Sequence, residues 1–577
     1  MILKSLTCSI DMKMKRRDVI LDSILFSLIA FYLVISPYTK VEESFNIQAI
    51  HDIYNYGIYP REKVEESFDH INFPGVVPRS FIGALVIAGI SKMVGWLVGV
   101  GIVDTRSSQK HLLMLSRGVL GTLNGLSLIS IRRSIDNISY RDKGAKKDGL
   151  TGTWYTLLLA SQFHILYYAS RTLPNFIALP LVNYSISLML EGNIMALALL
   201  AFTGIVFRLE IGVFAVIIAL VTSIFHGPRT LIQSVVSLTT GTILGLVTTF
   251  SVDSYFWGSL IVPELASFYF NVVKGRAAEW GTEPWSAYFK KYLLQIFRPP
   301  TVLTLLFPGC LSDPSEKELL KQRSAAEKNS SILKFPERGS LRILLASSVL
   351  YIATLSFQSH KEWRFIIYVA PILTLVAANG LSIISRRADT SRKLRILTSL
   401  YSILIILGVV ISILMGVISS FNYPGGEAIQ YVNDYILENS PHQNTTVHMD
   451  VAACMTGINR FCELHNSSLN YDKTENEIQF LQLIRKIDIL ISDDISENKP
   501  ILAESKWKLL KVIYAFQGIS VKPIIEVFRT KIMLAYRMQI RKLTEEILEN
   551  LYTSPKDILL SMIVRRKFLH VYKKVAD

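Results

Sequence analysis

Long apolar runs dominate this chain and limit the folds open to it. Several approach the roughly 20 residues that an α-helix needs to cross a bilayer, and the shorter ones follow one another closely. A large soluble helical protein would show polar faces at a 3.6-residue period, and these runs lack them. The sequence therefore predicts an all-α polytopic membrane protein with about 11 to 13 spans. The runs are Val19–Ser36, Phe81–Val103, Leu112–Ile131, Thr153–Tyr168, Phe176–Leu190, Ile194–Val206, Ile211–Phe225, Leu231–Phe250, Leu341–Phe357, Phe365–Ile384 and Ile396–Ile418.

Basic segments set the predicted sidedness of these spans, because Lys and Arg concentrate in cytosolic loops. Such segments are Met12–Asp18, Arg132–Gly149, Ser312–Arg342 and Ser385–Arg395. Counting spans between them places on the far side Pro37–Pro78, the turns Arg171–Asn175 and His360–Arg364, Ser251–Pro300 and everything after Ser419. The charge rule needs an odd number of spans between Pro78 and Arg132, where two runs occur, so the count there stays open. The net charge of +15 is spread over short loops, which favours contact with anionic lipids over a nucleic-acid partner.

The composition changes after the last run, so residues 422–577 are predicted to form a small luminal α/β domain, separate from a membrane domain of residues 1–421. "QNTTVHMDVAAC" and "IDILISDDI" alternate apolar and polar residues as strands do, with helical stretches between them. The last segment, Ile540–Lys574, is predicted to be an amphipathic helix. Cys454 and Cys462 would form a disulfide in an oxidising compartment, and the pairing stays open.

Ionisable residues beside lipid are costly and point to functional sites. Here they border the spans on the far side, whereas a transporter would place charges near the bilayer centre. This distribution favours a site at the membrane surface that acts on a lipid head group. No phosphate-binding loop, dinucleotide motif or zinc-spaced Cys/His cluster occurs, so no cofactor and no metal is predicted. The clusters are Glu42, Glu43, Asn46, His51 and Asp52; Asp69, His70 and Arg79; Asp253, Tyr255 and Trp257; Arg276, Glu279 and Trp280; and His360, Lys361, Glu362 and Arg364.

The residue types in these clusters suit glycosyl transfer from a lipid-phosphate sugar. A carboxylate can deprotonate a sugar hydroxyl, while nearby cations hold a phosphate leaving group. Arg fits the second task because its planar guanidinium pairs bidentately with phosphate oxygens. For a single cluster the alternative is an interfacial anchor, since Trp, Tyr, Lys and Arg belong at membrane edges in any case.

Several motifs carry a resemblance to a known family. "HKEWRFIIYVAPIL" resembles the HKE-x-RF signature of glycosyltransferase family 22, which belongs to the GT-C superfamily. Further segments resemble the α-1,6-mannosyltransferases of that family, in order from about Tyr38 to Lys473. They are "TKVEESFNIQAIHDI", "DHINFPGVVPRSFIG", "YYASRTLPN", "VFRLEI", "SVDSYFW", "AAEWGTEPW" and "HMDVAACMTGINRF" followed by "YDKTE".

The resemblance implies a GT-C-like enzyme of the endoplasmic reticulum membrane with its first loop, residues 38–78, in the lumen. Such an enzyme transfers mannose from dolichyl-phosphate-mannose to the seven-mannose dolichyl-diphosphate-linked oligosaccharide of N-glycan assembly. The linkage is α-1,6 and forms with inversion, and no cofactor is expected besides the donor substrate. The alternatives are another family 22 mannosyltransferase, of the GPI-anchor or α-1,2 type, and a non-enzymatic lipid transporter.

The hexapeptide KVEESF occurs twice, at Lys40–Phe45 and Lys63–Phe68. The related family pattern D/E-E-x-F-N matches only the first copy, because Asp69 rather than Asn follows the second. The resemblance thus makes the first copy the functional one, with Glu42 and Glu43 as its catalytic pair. Glu42 is favoured as the general base, with Glu43 capping or bracing the loop, and which of the two is the base stays open. The second copy is interpreted as a solvated helix end.

The remaining site residues are assigned by their place next to these motifs. A helix that continues into Phe365–Ile384 would put Lys361 and Arg364 on one face, with Glu362 directed toward the acceptor or Arg171. Contact with the donor phosphate is predicted for His360, Lys361, Arg364 and Arg171. Acceptor binding or site shaping is predicted for Asn46, His51, Asp52, Asp69, His70, Arg79, Asp253, Tyr255, Trp257, Glu279, Trp280 and Glu362.

Overall fold

The computed structural model divides the chain into two compact units. The first comprises Met1–Pro37 and Glu42–Gly416, and the second comprises Tyr38–Val41 and Val417–Asp577. The first unit is helical, and the second contains a sheet. The structure describes residues 16–98, 108–141, 150–310, 339–439, 444–464, 468–493, 507–520, 522 and 562–575.

Membrane-spanning helices make up most of the first unit. Among the described residues, six helices are long and apolar enough to cross a membrane, and shorter apolar helices accompany them. This confirms a polytopic helical membrane protein, while the count of about 11 to 13 spans stays a prediction. The long helices are Arg16–Ile35, Ser108–Arg141, Leu209–His226, Pro228–Trp257, Ala370–Arg386 with its preceding turn, and Arg392–Ser419; the shorter ones are Ile82–Val98, Pro174–Leu190, Met195–Val206 and Gly339–Leu355.

Short helices join or follow these spans. The α-helices are Ser44–Tyr56, Arg61–Ser67, Asp69–Asn72, Leu150–Ala160, Phe163–Tyr168, Pro263–Phe268, Leu293–Ile296, Thr301–Thr304 and Leu306–Gly309. Turns of 3₁₀-helix cover Val41–Glu43, Arg276–Trp280 and Trp363–Val369, and π-turns cover Tyr269–Val273 and Tyr288–Tyr292. Many of these elements lie in the first loop or near the HKEWRF motif, so they position the candidate site.

One predicted run is interrupted. The stretch Thr153–Tyr168 forms two helices that are separated at Ser161 and Gln162. The Ser161 hydroxyl and the Gln162 amide both donate to the Leu158 carbonyl, at 2.7 and 3.1 Å. Side chains that bond to nearby backbone carbonyls compete with helix continuation.

The helix Pro228–Trp257 shows how sequence determines its ends and its packing. Pro228 occupies the first turn, where its missing N–H costs nothing. Gly258 ends the helix in the left-handed region, with φ of 68°. A Cβ on Gly241 would lie 2.0 Å from the Ala198 carbonyl oxygen, so only glycine allows this close approach to the helix Met195–Val206.

The second unit contains a five-stranded sheet of order β2-β1-β3-β5-β4. β1 pairs in parallel with β2 and β3, and β5 pairs antiparallel with β3 and β4. This confirms the predicted small α/β domain. The strands are β1 Thr445–Met449, β2 Leu469–Asp472, β3 Ile489–Ser492, β4 Trp507–Ile519 and β5 Ile563–Lys574; the α-helices are Pro424–Asn439, Val451–Met455 and Glu477–Leu483, and 3₁₀ turns cover Ser420–Asn422, Arg460–Cys462 and Ile484–Lys486.

The core of this unit lies between the sheet and its longest helix. Ala428, Ile429 and Val432 of the helix Pro424–Asn439 belong to one buried cluster with Val447 and Ile491 of the sheet. Tyr38–Val41 also belongs to this unit: the Tyr38 hydroxyl donates to the Gln430 side chain at 2.6 Å, and the Asn459 amide donates to the Thr39 hydroxyl at 3.0 Å.

The predicted C-terminal amphipathic helix is wrong over its described part, because Ile563–Lys574 is strand β5; the preceding residues 540–561 lie outside the described residues. Leu569 and Val571 are both fully buried and stand two positions apart, which is the period of a strand. Pairing with β4, distant in sequence, decides the outcome.

Cys454 and Cys462 are thiols in this structure, not a disulfide. Their sulfur atoms lie 3.9 Å from the backbone carbonyl oxygens of Met449 and Gly457, respectively.

Candidate active site

The first KVEESF copy presents its two carboxylates differently. Glu43 is buried, and its carboxylate accepts hydrogen bonds from Arg171 Nη1 at 2.8 Å and from the Thr172 backbone N–H at 3.1 Å. A buried carboxylate is stable when it is paired and hydrogen-bonded in this way. Glu42 is exposed, and no described residue engages it in a hydrogen bond or ion pair. The geometry therefore favours Glu43 as the brace and Glu42 as the group that can meet a substrate.

Arg171 is fixed from several sides. Its Nη2 donates to the Ser36 hydroxyl at 2.8 Å and to the Tyr167 hydroxyl at 2.7 Å, and its guanidinium lies 4.5 Å from the centre of the Tyr167 ring. The side chain is 1% exposed. These contacts favour a structural role for Arg171, which holds Glu43 in place, rather than the predicted contact with the donor phosphate. Asn46 holds the same turn from the other side, donating to the Thr172 carbonyl at 2.7 Å.

His51 and Asp52 stabilise the rest of the first loop. His51 Nδ1 lies 2.8 Å from Asp52 Oδ1, and both side chains are buried. The other Asp52 oxygen accepts the Asp69 backbone N–H at 2.7 Å. This bond ties the helix Ser44–Tyr56 to the segment that follows the second hexapeptide. The predicted site-shaping role of these residues thus has a structural basis within the loop.

The end of the helix Pro228–Trp257 anchors the first loop to the membrane-spanning helices of the first unit. Asp253 accepts the Phe81 backbone N–H at 2.7 Å and a short hydrogen bond from the Thr249 hydroxyl. The Tyr255 hydroxyl donates to the Ile58 carbonyl at 2.6 Å. Tyr255 therefore holds the first loop, and Asp253 holds the segment that follows it, in both cases through the backbone.

An aromatic cluster lies beneath this anchor. The His70 ring is 4.7 Å from Phe81 and 5.0 Å from Trp257, and its Nε2 lies 3.0 Å from the Phe256 carbonyl oxygen. Burial lowers the pKa of His70, so the neutral ring is favoured. The Trp257 indole N–H donates to the Arg79 carbonyl at 3.0 Å, which fixes the backbone of that arginine.

The HKEWRF motif is not helical at its start, so the predicted shared helical face of Lys361 and Arg364 is wrong. Glu362 has extended backbone angles, and a 3₁₀ turn begins at Trp363. The Tyr292 hydroxyl donates to the Lys361 carbonyl at 2.8 Å, which removes that carbonyl from helix hydrogen bonding. Tertiary contacts here outweigh the helical pattern of the following apolar run.

Lys361 contacts backbone carbonyls. Its Nζ donates to the carbonyls of Gln358 at 2.5 Å and Glu283 at 3.0 Å, and the residue is 3% exposed. Burial lowers its pKa. This geometry indicates that Lys361 joins two loops and does not favour direct binding of the phosphate.

Glu362 pairs within its own motif. It accepts a hydrogen bond from Arg364 Nη2 at 2.6 Å, and His360 Nε2 lies 3.1 Å from the same oxygen. Burial raises the pKa of Glu362, but Arg364 and His360 outweigh this and hold the pKa below its ordinary value. The predicted pairing of Glu362 with Arg171 is wrong, because Arg171 pairs with Glu43.

Aromatic rings bring the two motifs together. The Arg171 guanidinium lies 5.8 Å from the centre of the Tyr168 ring, and that ring lies 4.6 Å from the ring of Trp363. Glu43 and the HKEWRF motif are thus connected through adjacent side chains. The sequence predicts that both belong to one site, and this contact supports that prediction.

The segment that contains Glu279 and Trp280 approaches HKEWRF through its backbone. His360 Nδ1 lies 3.1 Å from the Gly281 carbonyl oxygen, next to Trp280. Glu279 pairs with Arg276 at 2.7 Å, and both are about half exposed. Trp280 is 61% exposed. These side chains stay outside the network around Glu43 and Arg364, so their role stays a prediction.

A charged group built on Arg208 and Glu210 lies outside the set of site residues predicted from the sequence. Arg208 Nε donates to Glu210 Oε1 at 2.8 Å, and the Asn175 amide donates to the same oxygen at 3.2 Å. The signal was present in "VFRLEI", where an Arg and a Glu stand between two apolar runs. Asn175 follows closely after Arg171, so this group adjoins the Glu43 brace in the chain.

Glu264 and Arg79 complete that group. Glu264 is buried and accepts the Leu209 backbone N–H at 3.1 Å. Burial raises its pKa to about 7, although Arg208 opposes the shift. Burial, followed by repulsion from Arg208, lowers the pKa of Arg79 to about 10, so Arg79 stays charged near neutrality.

Within the described ranges, no group of three or more His, Cys, Asp and Glu side chains is placed to hold a metal ion. The expectation that catalysis needs no cofactor stays a prediction.

Comparisons with known proteins show the family of this chain. The sequence model of the Alg9-like mannosyltransferase family matches residues 23–460. The Dol-P-Man:Man(7)GlcNAc(2)-PP-Dol alpha-1,6-mannosyltransferase of Saccharomyces cerevisiae is 34% identical over 96% of this chain and 98% of its own length. The protein of the same name from Arabidopsis thaliana is 31% identical over 90% of this chain and 94% of its own. A crystal structure of ArnT from Cupriavidus metallidurans in the apo state has a TM-score of 0.48 at 10% identity, covering 86% of this chain and 96% of that one. The family resemblance is confirmed: the chain belongs to the Alg9-like mannosyltransferase family.

Proposed function

We propose that this protein transfers mannose from dolichyl-phosphate-mannose to the seven-mannose dolichyl-diphosphate-linked oligosaccharide, forming an α-1,6 linkage with inversion. The observation that carries the proposal is the split between Glu42 and Glu43: one carboxylate is exposed for chemistry while its neighbour is locked to Arg171. The names of the relatives support the choice of substrates.

The reaction is a single displacement. Glu42 takes the proton of the acceptor 6-hydroxyl as that oxygen attacks C1 of the donor mannose. The bond from C1 to the phosphate oxygen breaks, and dolichyl phosphate leaves with the electron pair. Because the donor is β-linked and the product α-linked, one in-line step suffices and no covalent enzyme intermediate forms. Arg364 stabilises the charge that builds on the leaving phosphate.

The same proposal places the enzyme in the endoplasmic reticulum membrane with its site facing the lumen. The sidedness follows from the basic segments, since the first loop and HKEWRF fall on the face opposite to them. Both substrates are lipid-linked, and a site that borders the spans can receive them from the membrane surface.

The test is transfer by the purified protein in lipid nanodiscs. With dolichyl-phosphate-mannose and the seven-mannose acceptor, we expect an eight-mannose product whose new residue is released by an α-1,6-specific mannosidase. Deleting the protein from its host should cause the seven-mannose lipid to accumulate. A product resistant to that enzyme but cleaved by an α-1,2-specific one would contradict the proposal.

A further inference from the structure

We propose that Arg79, Arg208 and Arg364 together bind the phosphate of the lipid-linked donor; this assignment rests on the proposed function above. Arg364 comes from HKEWRF, Arg208 from the turn between two membrane helices, and Arg79 from the segment that follows the first loop. The site thus joins three segments that are far apart in the sequence and that all lie at the ends of apolar helices.

Two of the guanidinium groups lie near the same aromatic ring. Arg208 is 5.4 Å and Arg364 is 5.9 Å from the centre of the Phe365 ring. Arg79 interacts electrostatically with both of them, and their repulsion contributes to its lowered pKa. Two positive charges therefore lie at one partly buried place, and Arg79 is within electrostatic reach of both, where repulsion is weakly screened.

The neighbouring carboxylates do not occupy all of the donors. Arg208 gives its Nε to Glu210, and Arg364 gives its Nη2 to Glu362. A guanidinium carries five N–H donors, so most of them are left for another acceptor. Arg364 Nε is itself buried and has no hydrogen-bond partner among the residues described. Buried donors are normally satisfied, so this N–H is open to a further acceptor such as a phosphate oxygen.

The charge balance also favours an anion. Glu264 faces Arg208 and Arg79, and with Glu210 it completes the charged surroundings of the cluster. Because burial holds the pKa of Glu264 near 7, a substantial fraction of this carboxyl is neutral at physiological pH. The arginines are then incompletely neutralised, and the donor phosphodiester, which carries one negative charge, supplies the missing charge.

The position of the cluster fits the proposed displacement. Asn175 bonds to Glu210 on one side, and it lies three residues after Thr172, whose N–H holds Glu43. The arginine cluster and the Glu43 brace beside the proposed base are therefore joined through the segment from Thr172 to Asn175. A purely structural network of ion pairs is the alternative, and it makes a different prediction for Lys substitutions.

The experiment measures the kinetics of Arg208→Lys and Arg79→Lys with each substrate varied in turn. Lys keeps the charge but loses the planar fork, so we expect the donor KM to rise about tenfold or more while the acceptor KM stays within about twofold. Arg61→Lys is the matched control, because Arg61 forms an exposed pair with Glu65 on the same loop. It should leave both constants unchanged.

A donor KM that is unchanged in both variants would overturn the assignment, and so would a rise confined to the acceptor KM. Melting temperatures separate loss of folding from loss of binding, and if one variant fails to fold, the donor KM of the other decides the test. If the wild-type protein transferred no mannose, the site would still be tested by thermal stabilisation with farnesyl phosphate compared with inorganic phosphate. Stabilisation by the prenyl phosphate that is lost in Arg208→Lys supports the site even when the proposed function fails, and equal stabilisation of the variant overturns it.

Discussion

The two KVEESF copies have the same six residues and opposite environments. In the first, Glu43 is buried against Arg171, and Glu42 is exposed just before a helix. In the second, both carboxylates are exposed on the helix Arg61–Ser67, and Glu65 forms only a surface pair with Arg61 at 2.9 Å. An identical hexapeptide thus forms part of a candidate active site in one place and a solvated surface in the other, which confirms the interpretation of the second copy.

The position of the helix start explains the difference. The second helix begins directly after Pro60, so its glutamates lie inside the helix, while Val64 and Phe68 face inward four residues apart. In the first copy the helix begins only at Ser44, so the glutamates precede it in a 3₁₀ turn. The flanking sequence, and not the motif itself, decides whether a carboxylate is buried against an arginine or stays exposed.

The largest difference between the copies should appear in turnover. Glu42→Gln removes the proposed base without disturbing the Glu43 brace, so we expect kcat to fall about 100-fold or more with a normal melting temperature. Transfer of labelled mannose to the seven-mannose acceptor measures the effect. If Glu42→Gln were active and Glu43→Gln folded but inactive, the roles of the two residues would be the reverse of those proposed here.

The second difference should appear in stability. Glu43→Gln leaves Arg171 buried without its counter-charge, and breaking such a pair costs about 3–5 kcal/mol. We expect a clear loss of thermal stability in nanodiscs. The double variant Glu43→Leu with Arg171→Met should recover part of that stability, because no unpaired charge remains. If Glu43→Gln were as stable as the wild type, the pair of Glu43 and Arg171 would not brace the loop.

The pH dependence of local stability should distinguish the segment after the second hexapeptide from the first hexapeptide. His70 stabilises this segment in its neutral form, and burial keeps its pKa below the ordinary value of about 6.5. Its contribution is fully present above about pH 6.5 and is lost as the pH falls toward the lowered pKa, since the unfolded chain then binds the proton first. The protection factors of residues 68–72, corrected for the intrinsic exchange rate at each pH, should therefore fall between pH 7.5 and 5.5, and His70→Phe should abolish this fall. Equal pH dependence in both proteins would exclude His70 as its source.

The sequence was sufficient for features that depend on local pattern. The apolar runs predict the membrane helices, because lipid requires continuous apolar helices and little else. The preference for the first hexapeptide as the functional copy also follows from the residues next to it, and it stays a prediction. By contrast, the pairing of Glu43 with Arg171 joins residues 128 apart, and nothing in the local pattern indicates it.

The errors arose where distant contacts override a local pattern. The helical reading of HKEWRF failed because Tyr292 and the carbonyl of Glu283 engage Lys361. Strand β5 was missed because its partner β4 is remote in the chain. Arg208 was overlooked because its role depends on residues from three other segments, although its place between apolar runs was a usable signal.

The smallest effects are expected from the second copy. Glu65→Gln breaks only an exposed ion pair with Arg61, and such pairs contribute about 0.2–1 kcal/mol at most. Glu66→Gln changes an exposed side chain on the same helix. We expect both variants to keep activity within about twofold of wild type and stability within about 0.5 kcal/mol. Both variants are measured in the same assay as Glu42→Gln, with the same expression system and lipid composition. A loss in Glu65→Gln as deep as that in Glu42→Gln would mean that two acids serve the reaction, and the copies would then differ in position but not in role.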